Sequence, residues 1–329
     1  MKLSLIIPVY NRPDEIDELL ETLSNQDFAD YYEIVIVEDG SSLDCKSVIE
    51  KYPRLNISYF YKPNSGPGDS RNFGMKNAKG DYFIILDSDC ILPNDYLSQV
   101  KKSLESDYVD CFGGVDDADL SFSDIQKAIN FAMTSTLTTG GIRGGSENLT
   151  KFQPRSFNMG ISKKAFEVSN GFGNIHPGED PDLAIRLWDL GFETRLFKNV
   201  KVYHKRRISW DKFKIQVHKF GKARVILNFW HPKHIKLTFF FPSLFLVGFI
   251  FSIFLIFFDF SFLFSLYVLY FLICLILSSL QNKSLKIGLL SVYAVAIQFY
   301  GYGTGFLKAF YKINILNQKP EEALPEMFF

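Results

Sequence analysis

The chain has 329 residues, 47% of them hydrophobic and 22% charged, with four scattered cysteines, a composition that excludes a disordered chain and a disulfide scaffold. Its 36 basic and 36 acidic residues cancel, which argues against a strongly basic nucleic-acid binder, so no nucleic-acid partner is expected. The cancellation hides three regions: residues 1–197 have net charge −12, 198–236 have net +11, and 237–329 have net +1.

In chain order, LSLIIPV (3–9) reads as a strand, and Asn11-Arg12-Pro13-Asp14 leads into a helical pattern of Ile16, Leu19, Leu20 and Leu23. The apolar stretch Leu3–Ile7 is too short for a signal-peptide core, so this first domain is expected in the cytoplasm. Strands are predicted at Glu33–Val37, Ile57–Tyr61 and Tyr82–Leu86, alternating with helices at Leu43–Lys51 and Ser70–Ala78. That alternation predicts an α/β fold, a mostly parallel sheet with helices on both faces. In such sheets ligands bind at the carboxyl ends of the strands. The strand ends here carry Asn11, Glu38-Asp39 and Asp87-Ser88-Asp89. Neither GxxxxGK[ST] nor GxGxxG occurs, which removes the main support for ATPase or dinucleotide readings. Cys45, Cys90, Cys111 and Cys274 lack zinc-ligand spacing and read as small buried residues.

Asp87 and Asp89 lie two apart after an apolar strand, a pattern that suits a divalent cation also holding phosphate oxygens. Gly-rich Thr138–Thr150 reads as a mobile loop or a linker. Asp180, followed by Pro181, reads as the N-cap of a helix over Leu183–Leu190. His204 ends a predicted strand, Lys201–Tyr203, and opens His-Lys-Arg-Arg.

Trp210–Trp230 reads as an amphipathic basic helix. It suits anionic headgroups, or packing on the catalytic domain as a solvated basic helix. Uncharged runs follow at about 237–258 and 260–280, separated by Asp259, each about the 20 residues that span a bilayer core. A third stretch, 287–306, with Gly301, Gly303 and Gly305, reads as a span or a re-entrant helix. Lysines and arginines on both flanks of the hairpin put residues 1–236 on the cytoplasmic side and Asp259 at the far turn. The expected organisation is a catalytic domain (1–208), an interfacial helix (209–236), a multi-pass transmembrane region of the cytoplasmic membrane (237–312) and a tail (313–329).

The succession LIIPVYNR, EIVIVEDGSS, NSGPGDSRNFGM, DYFIILDSD and GEDPDLAIRL resembles family 2 glycosyltransferases of the GT-A fold, over roughly residues 1–210. The basic segment and hairpin resemble the membrane-bound members that build bacterial surface polysaccharides. The resemblance implies an inverting transfer from a nucleotide-diphosphate sugar, usually a UDP-sugar, with Mg²⁺ or Mn²⁺, to a lipid-linked or growing glycan. It implies that Pro8, Tyr10, Asn11, Glu38 and Asp39 hold the base and ribose, with Glu38 standing where Asp is common. Arg71 matches the motif arginine near the nucleotide, where a guanidinium suits a diphosphate or stacking role. Asp87 matches the nucleotide-side member of the DxD motif and Asp89 the metal ligand, with His204 as a third ligand. Asp180 matches the catalytic base, supported by Glu179 and Asp182, and Arg206 and Arg207 are placed to neutralise the leaving diphosphate. Phe157–Gly160 is implied on the acceptor side. Gln216-Val-His-Lys lacks the Arg-Trp of processive synthases, favouring single transfer. A sugar-1-phosphate nucleotidyltransferase and a non-catalytic membrane adaptor are the alternatives; the first lacks its Gly-rich basic loop, and the second predicts lost acidic motifs.

Overall fold

The computed structural model describes all residues except 118–122, 140–150 and 205–208, and only the backbone at 116, 117 and 204. The chain divides into two compact units, one of residues 1–119, 147–206 and 329, the other of 120–146 and 207–328. Of the expected catalytic domain, the described residues 123–139 thus belong with the helices that follow residue 208.

In the first unit β1 (Leu3–Val9), α1 (Pro13–Ser24), β2 (Tyr32–Asp39), α2 (Lys46–Ile49), β3 (Ile57–Lys62), α3 (Pro67–Asn77) and β4 (Tyr82–Leu86) follow one another. β5 (Cys90–Ile91), α4 (Tyr96–Ser106) and β6 (Cys111–Asp117) come next. After the excursion of α5 (Asp124–Thr134) and α6 (Thr136–Thr139) into the second unit, β7 (Asn158–Ser162), α7 (Lys163–Ser169), α8 (Glu179–Asp189) and β8 (Thr194–His204) complete it. The strand order is β3-β2-β1-β4-β7-β6-β8-β5. β1 to β4 pair in parallel, β7 runs antiparallel between β4 and β6, and β5 is antiparallel to β8.

Side-chain alternation explains why both faces carry helices. Leu5 and Ile7 of β1 join Leu19 and Leu23 of α1 in one core, whereas Ile6 joins Phe83, Met75 of α3 and Leu183 of α8 in the other. The predicted helix over 43–51 shrinks to Lys46–Ile49, because residues 41–45 are held as a loop by Glu38 and Asn11. The strand expected at 201–203 extends over Thr194–His204. Phe157–Gly160, expected on the acceptor side, enters β7 instead: Asn158 to Ser162 are all buried, and the Asn158 amide bonds Tyr96 and the Val200 carbonyl.

The second unit is helical. It comprises α5, with a Ser123/Gln126 capping box, α6, α9 (Trp210–Trp230), α10 (Phe241–Ile256), α11 (Phe262–Asn282) and α12 (Leu285–Phe310). α9 has the predicted bounds, but Phe213, Val217 and Gly221, the side expected to meet headgroups, are buried against α12. Glycine makes that closeness feasible: a Cβ at Gly221 would strike the Tyr302 carbonyl, and one at Gly301 would stand 2.5 Å from Val217. The shared core holds Ile129, Met133, Phe213, Val217, Ala294 and Phe299.

Among the described residues two helices are long and apolar enough to cross a membrane, Phe262–Asn282 and Leu285–Ile315; Phe241–Ile256, at 16 residues, is shorter. Around the hairpin tip Phe257 is 81% exposed and Phe258 66%.

Candidate active site

The site lies at the carboxyl ends of β1, β2 and β4 and the first turn of α8. α3 begins with Pro67 at a helix start, and its fifth residue, Arg71, is buried under the sheet edge. Its guanidinium donates to Asp87 at 2.9 Å and to Glu179 at 3.2 Å, and stands 5.4 Å from the Phe172 ring centroid. Its charge is met by two carboxylates and its plane lies near the Phe172 ring; the side chain, 5% exposed, is taken up by these protein groups and not by the open surface expected for a nucleotide contact. Glu179 accepts from Arg71, from the Gly178 amide and, at 3.0 Å, meets the His176 ring. Burial opposes its ionisation, but His176 and Arg71 prevail and hold it below the usual carboxylate range.

Asp180 is the opposite case. The helix begins at Glu179 with Gly178 as its cap, so Asp180 sits inside the first turn and does not cap it as predicted. One oxygen, Oδ2, accepts the Ser156 amide at 3.1 Å, and the other, Oδ1, is buried with no partner among the described residues. Burial and the charge of Glu179 push its carboxyl up to about 6, against the opposing pull of Arg71 and Arg155. Two adjacent carboxylates are thus driven apart, one fixed as an anion and one poised to exchange a proton. Asp182, by contrast, is clasped by Arg186, which also binds the carbonyls of Ser169 and Gly171; its support is to the loop before α8.

The predicted nucleotide residues divide. Tyr10 is 53% exposed at the end of β1, beside Pro8 and Asn11. Asn11 accepts from the Ser42 and Leu43 amides and fixes the loop after β2. Glu38 is fully buried, with its oxygens engaged by Ser41, the Cys45 amide and thiol, and Tyr59. It therefore holds the loop and presents no oxygen to a ribose or base. Asp39 binds Lys62 at 2.6 Å and the amides of Ser65 and Gly66 at 3.0 Å, pinning the loop that starts α3. Lys62, His176, Arg155 and Ser156 carry no motif signal. A lysine ending the apolar strand ISYFYK is the one hint the sequence offers.

Asp87 and Asp89 stand beyond β4, and the backbone of His204 pairs with Cys90, next to Asp89. Among the described residues no three His, Cys, Asp or Glu side chains gather as a metal site. Even so, two hard carboxylates with an imidazole-bearing residue brought alongside by strand pairing are a donor set that fits Mg²⁺ or Mn²⁺. Arg206 and Arg207 lie outside the described residues, as does the loop over 140–150.

Among solved structures, the chain is similar to the mannosyltransferase PcManGT from Pyrobaculum calidifontis in complex with GDP-Man and Mn²⁺, with TM-score 0.57, 16% identity, and 96% of this chain and 87% of that one covered. It is also similar to S. aureus TarS 1–349, with TM-score 0.52, 19% identity and coverage of 97% and 92%. These likenesses establish a shared fold. In sequence, 116 residues are 34% identical to the GalNAc(5)-diNAcBac-PP-undecaprenol beta-1,3-glucosyltransferase of Campylobacter jejuni, covering 34% of this chain and 37% of that one. Over 114 residues the chain is 33% identical to the poly(ribitol-phosphate) beta-N-acetylglucosaminyltransferase TarS of Staphylococcus aureus, covering 33% of this chain and 20% of that one. The matched segments thus span about a fifth to just over a third of these relatives' lengths. The model of glycosyl transferase family 2 matches residues 4–169, just over half of the sequence and every strand from β1 to β7, and the chain is a member of that family.

Proposed function

We propose that the chain transfers a sugar from a nucleotide-diphosphate sugar, UDP-sugar in the first instance, to a glycan or lipid-linked acceptor in polysaccharide biosynthesis, with inversion. The observation that carries this reading is Asp180. Its Oδ2 is fixed by a main-chain amide while Oδ1 is buried without a partner. A carboxylate so held accepts the acceptor's hydroxyl proton as the acceptor oxygen attacks the anomeric carbon. A carboxyl raised to about 6 is ionised near neutral pH yet basic enough to take the proton. Glu179, anchored by Arg71 and His176, stays anionic and sets the electrostatic level at which Asp180 works.

Asp89, Asp87 and His204 would hold a divalent cation, which when bound supplies positive charge to the donor's diphosphate. Pro8 and Tyr10 are the surface for the base; Glu38, Asp39 and Asn11 support that surface from beneath. Arg71 acts by joining Asp87 to Glu179, so that the donor side and the base are held in one ion-paired frame. The helical unit is the means of membrane association, at the cytoplasmic face, through the exposed apolar side chains of α10 and α11.

The test is Asp180→Asn in the full chain, with UDP or GDP release from a donor panel and donor binding measured side by side, with and without chelator. Loss of release with binding retained is the expected result. Release at the wild-type rate from Asp180→Asn sinks the assignment, and pyrophosphate as the product would revive a nucleotidyltransferase.

A further inference from the structure

We propose that Arg155 is a catalytic residue that binds the outer phosphate of the donor's diphosphate and stabilises it as the leaving group. This rests on the glycosyl-transfer reading above.

The first observation is what its guanidinium lacks. The other arginines of the sheet unit that are not at the open surface are all engaged: Arg71 by Asp87 and Glu179, Arg186 by Asp182 and two carbonyls, Arg195 by Asp107 and Glu193. Arg155 is half-buried; its carbonyl accepts the Asn158 amide at 3.0 Å, but its guanidinium makes neither hydrogen bond nor ion pair with the described residues. None of its nitrogens is among the buried atoms without a partner, so the guanidinium keeps its donors open to solvent and to an anion that arrives with a ligand.

The second observation is where it lies. Ser156, the next residue, donates its amide to Asp180. Two residues along, Phe157 accepts the Cys90 thiol at 3.3 Å, and Asn158 pairs with Leu86. The segment 155–157 therefore runs beside 87–90, between the DxD carboxylates and the base. The third observation is charge. Asp87, Asp89, Glu179 and Asp180 are acidic, Arg71 is engaged by two of them, and Lys62 is engaged by Asp39. A diphosphate entering this surface needs a cation not already paired, and among the described residues Arg155 is one.

In the step itself the acceptor O–H proton passes to Asp180 Oδ1 and the acceptor oxygen bonds the anomeric carbon. The bond from that carbon to the outer phosphate oxygen breaks with its electron pair remaining on the oxygen, facing Arg155.

The test is equilibrium binding of UDP, GDP, UMP and GMP, each with Mn²⁺, to the full-length protein and its Arg155→Ala and Arg155→Lys variants, with melting curves as a check on folding. Loss of a charge-assisted contact predicts that Arg155→Ala weakens the preferred diphosphate about 10- to 100-fold while leaving the monophosphate unchanged. Arg155→Lys should recover part of that loss, since it keeps the charge without the fork. Equal losses for mono- and diphosphate, or none, overturn the proposal and leave the glycosyl-transfer reading standing. Wild-type protein that binds none of the four overturns both.

Discussion

In the sheet unit, buried cations are held by carboxylates, Arg71 by Asp87 and Glu179 and Lys62 by Asp39, while the helical unit leaves Phe257 81% and Leu280 70% exposed. The first arrangement fixes most charged groups; the buried side-chain atoms it leaves without a partner among the described residues are Ser70 Oγ, Arg71 Nε and Asp180 Oδ1, and of these Asp180 Oδ1 alone belongs to a carboxylate. The second relies on shape: glycines let α9 and α12 touch backbone to backbone, and apolar surface is turned outward where lipid would be a better solvent than water. Polarity specifies one unit and steric fit the other, so the two should fail differently when altered.

The largest expected effect is on the polar side. Asp180→Asn should lower the transfer rate by about two to four orders of magnitude, the usual worth of a positioned base, as read by nucleotide release. Arg71→Ala comes next, because it leaves Glu179 buried without its cation. Breaking a buried pair from one side costs about 3–5 kcal/mol, and denaturant melts of the sheet unit should show it. In the helical unit Gly221→Ala gains about 1 kcal/mol in helix propensity. It also drives a Cβ into the Tyr302 carbonyl and to 2.7 Å from the Phe306 nitrogen, which no rotamer relieves. Overpacking of about 1–3 kcal/mol then wins, and the helical transition should fall while nucleotide binding holds.

The pH dependence sharpens the comparison further. Asp180 is a competent base only when ionised, so the rate should fall about tenfold per pH unit below about 6. For stability the sign reverses. A carboxyl raised in the folded state binds its proton more tightly there than when unfolded, so its contribution is complete below the unfolded value of 3.8 and is lost as pH rises through about 6. Asp180→Asn should therefore melt higher than wild type above pH 6 although it is inactive. An equal or lower melting point would mean the carboxylate is not strained. The smallest effect belongs to Lys286→Ala: its partner Asp124 is exposed, and the melting point should not move.

Much of the sheet unit was legible because its signals are local. Strand runs such as YFIIL and EIVIV, and the acidic residues just after them, lie within a few positions of one another. What escaped depends on distant pairs. Arg71 and Glu179 are 108 residues apart, so nothing near Arg71 marks it as the partner of two carboxylates instead of a diphosphate. Glu38 looked like a ligand residue because it ends a strand, yet the ensuing loop folds back over it through Ser41 and Cys45. α9 was legible as an amphipathic helix, but not what covers it, since an apolar stripe is the same whether lipid or α12 lies against it. Gly301 and Gly305, read as features of a doubtful span, are where Val217 and His218 approach.

The bond from Ser156 to Asp180 is made by main chain, and that has a consequence for how this site drifts over generations. Every amino acid but proline supplies an amide hydrogen at 156, so substitutions there that suit a small enclosed space leave the base aimed as it is. The alignment of the reactive group is therefore inherited through the path of the chain, and a lineage could change the letter at 156 repeatedly while keeping its chemistry intact.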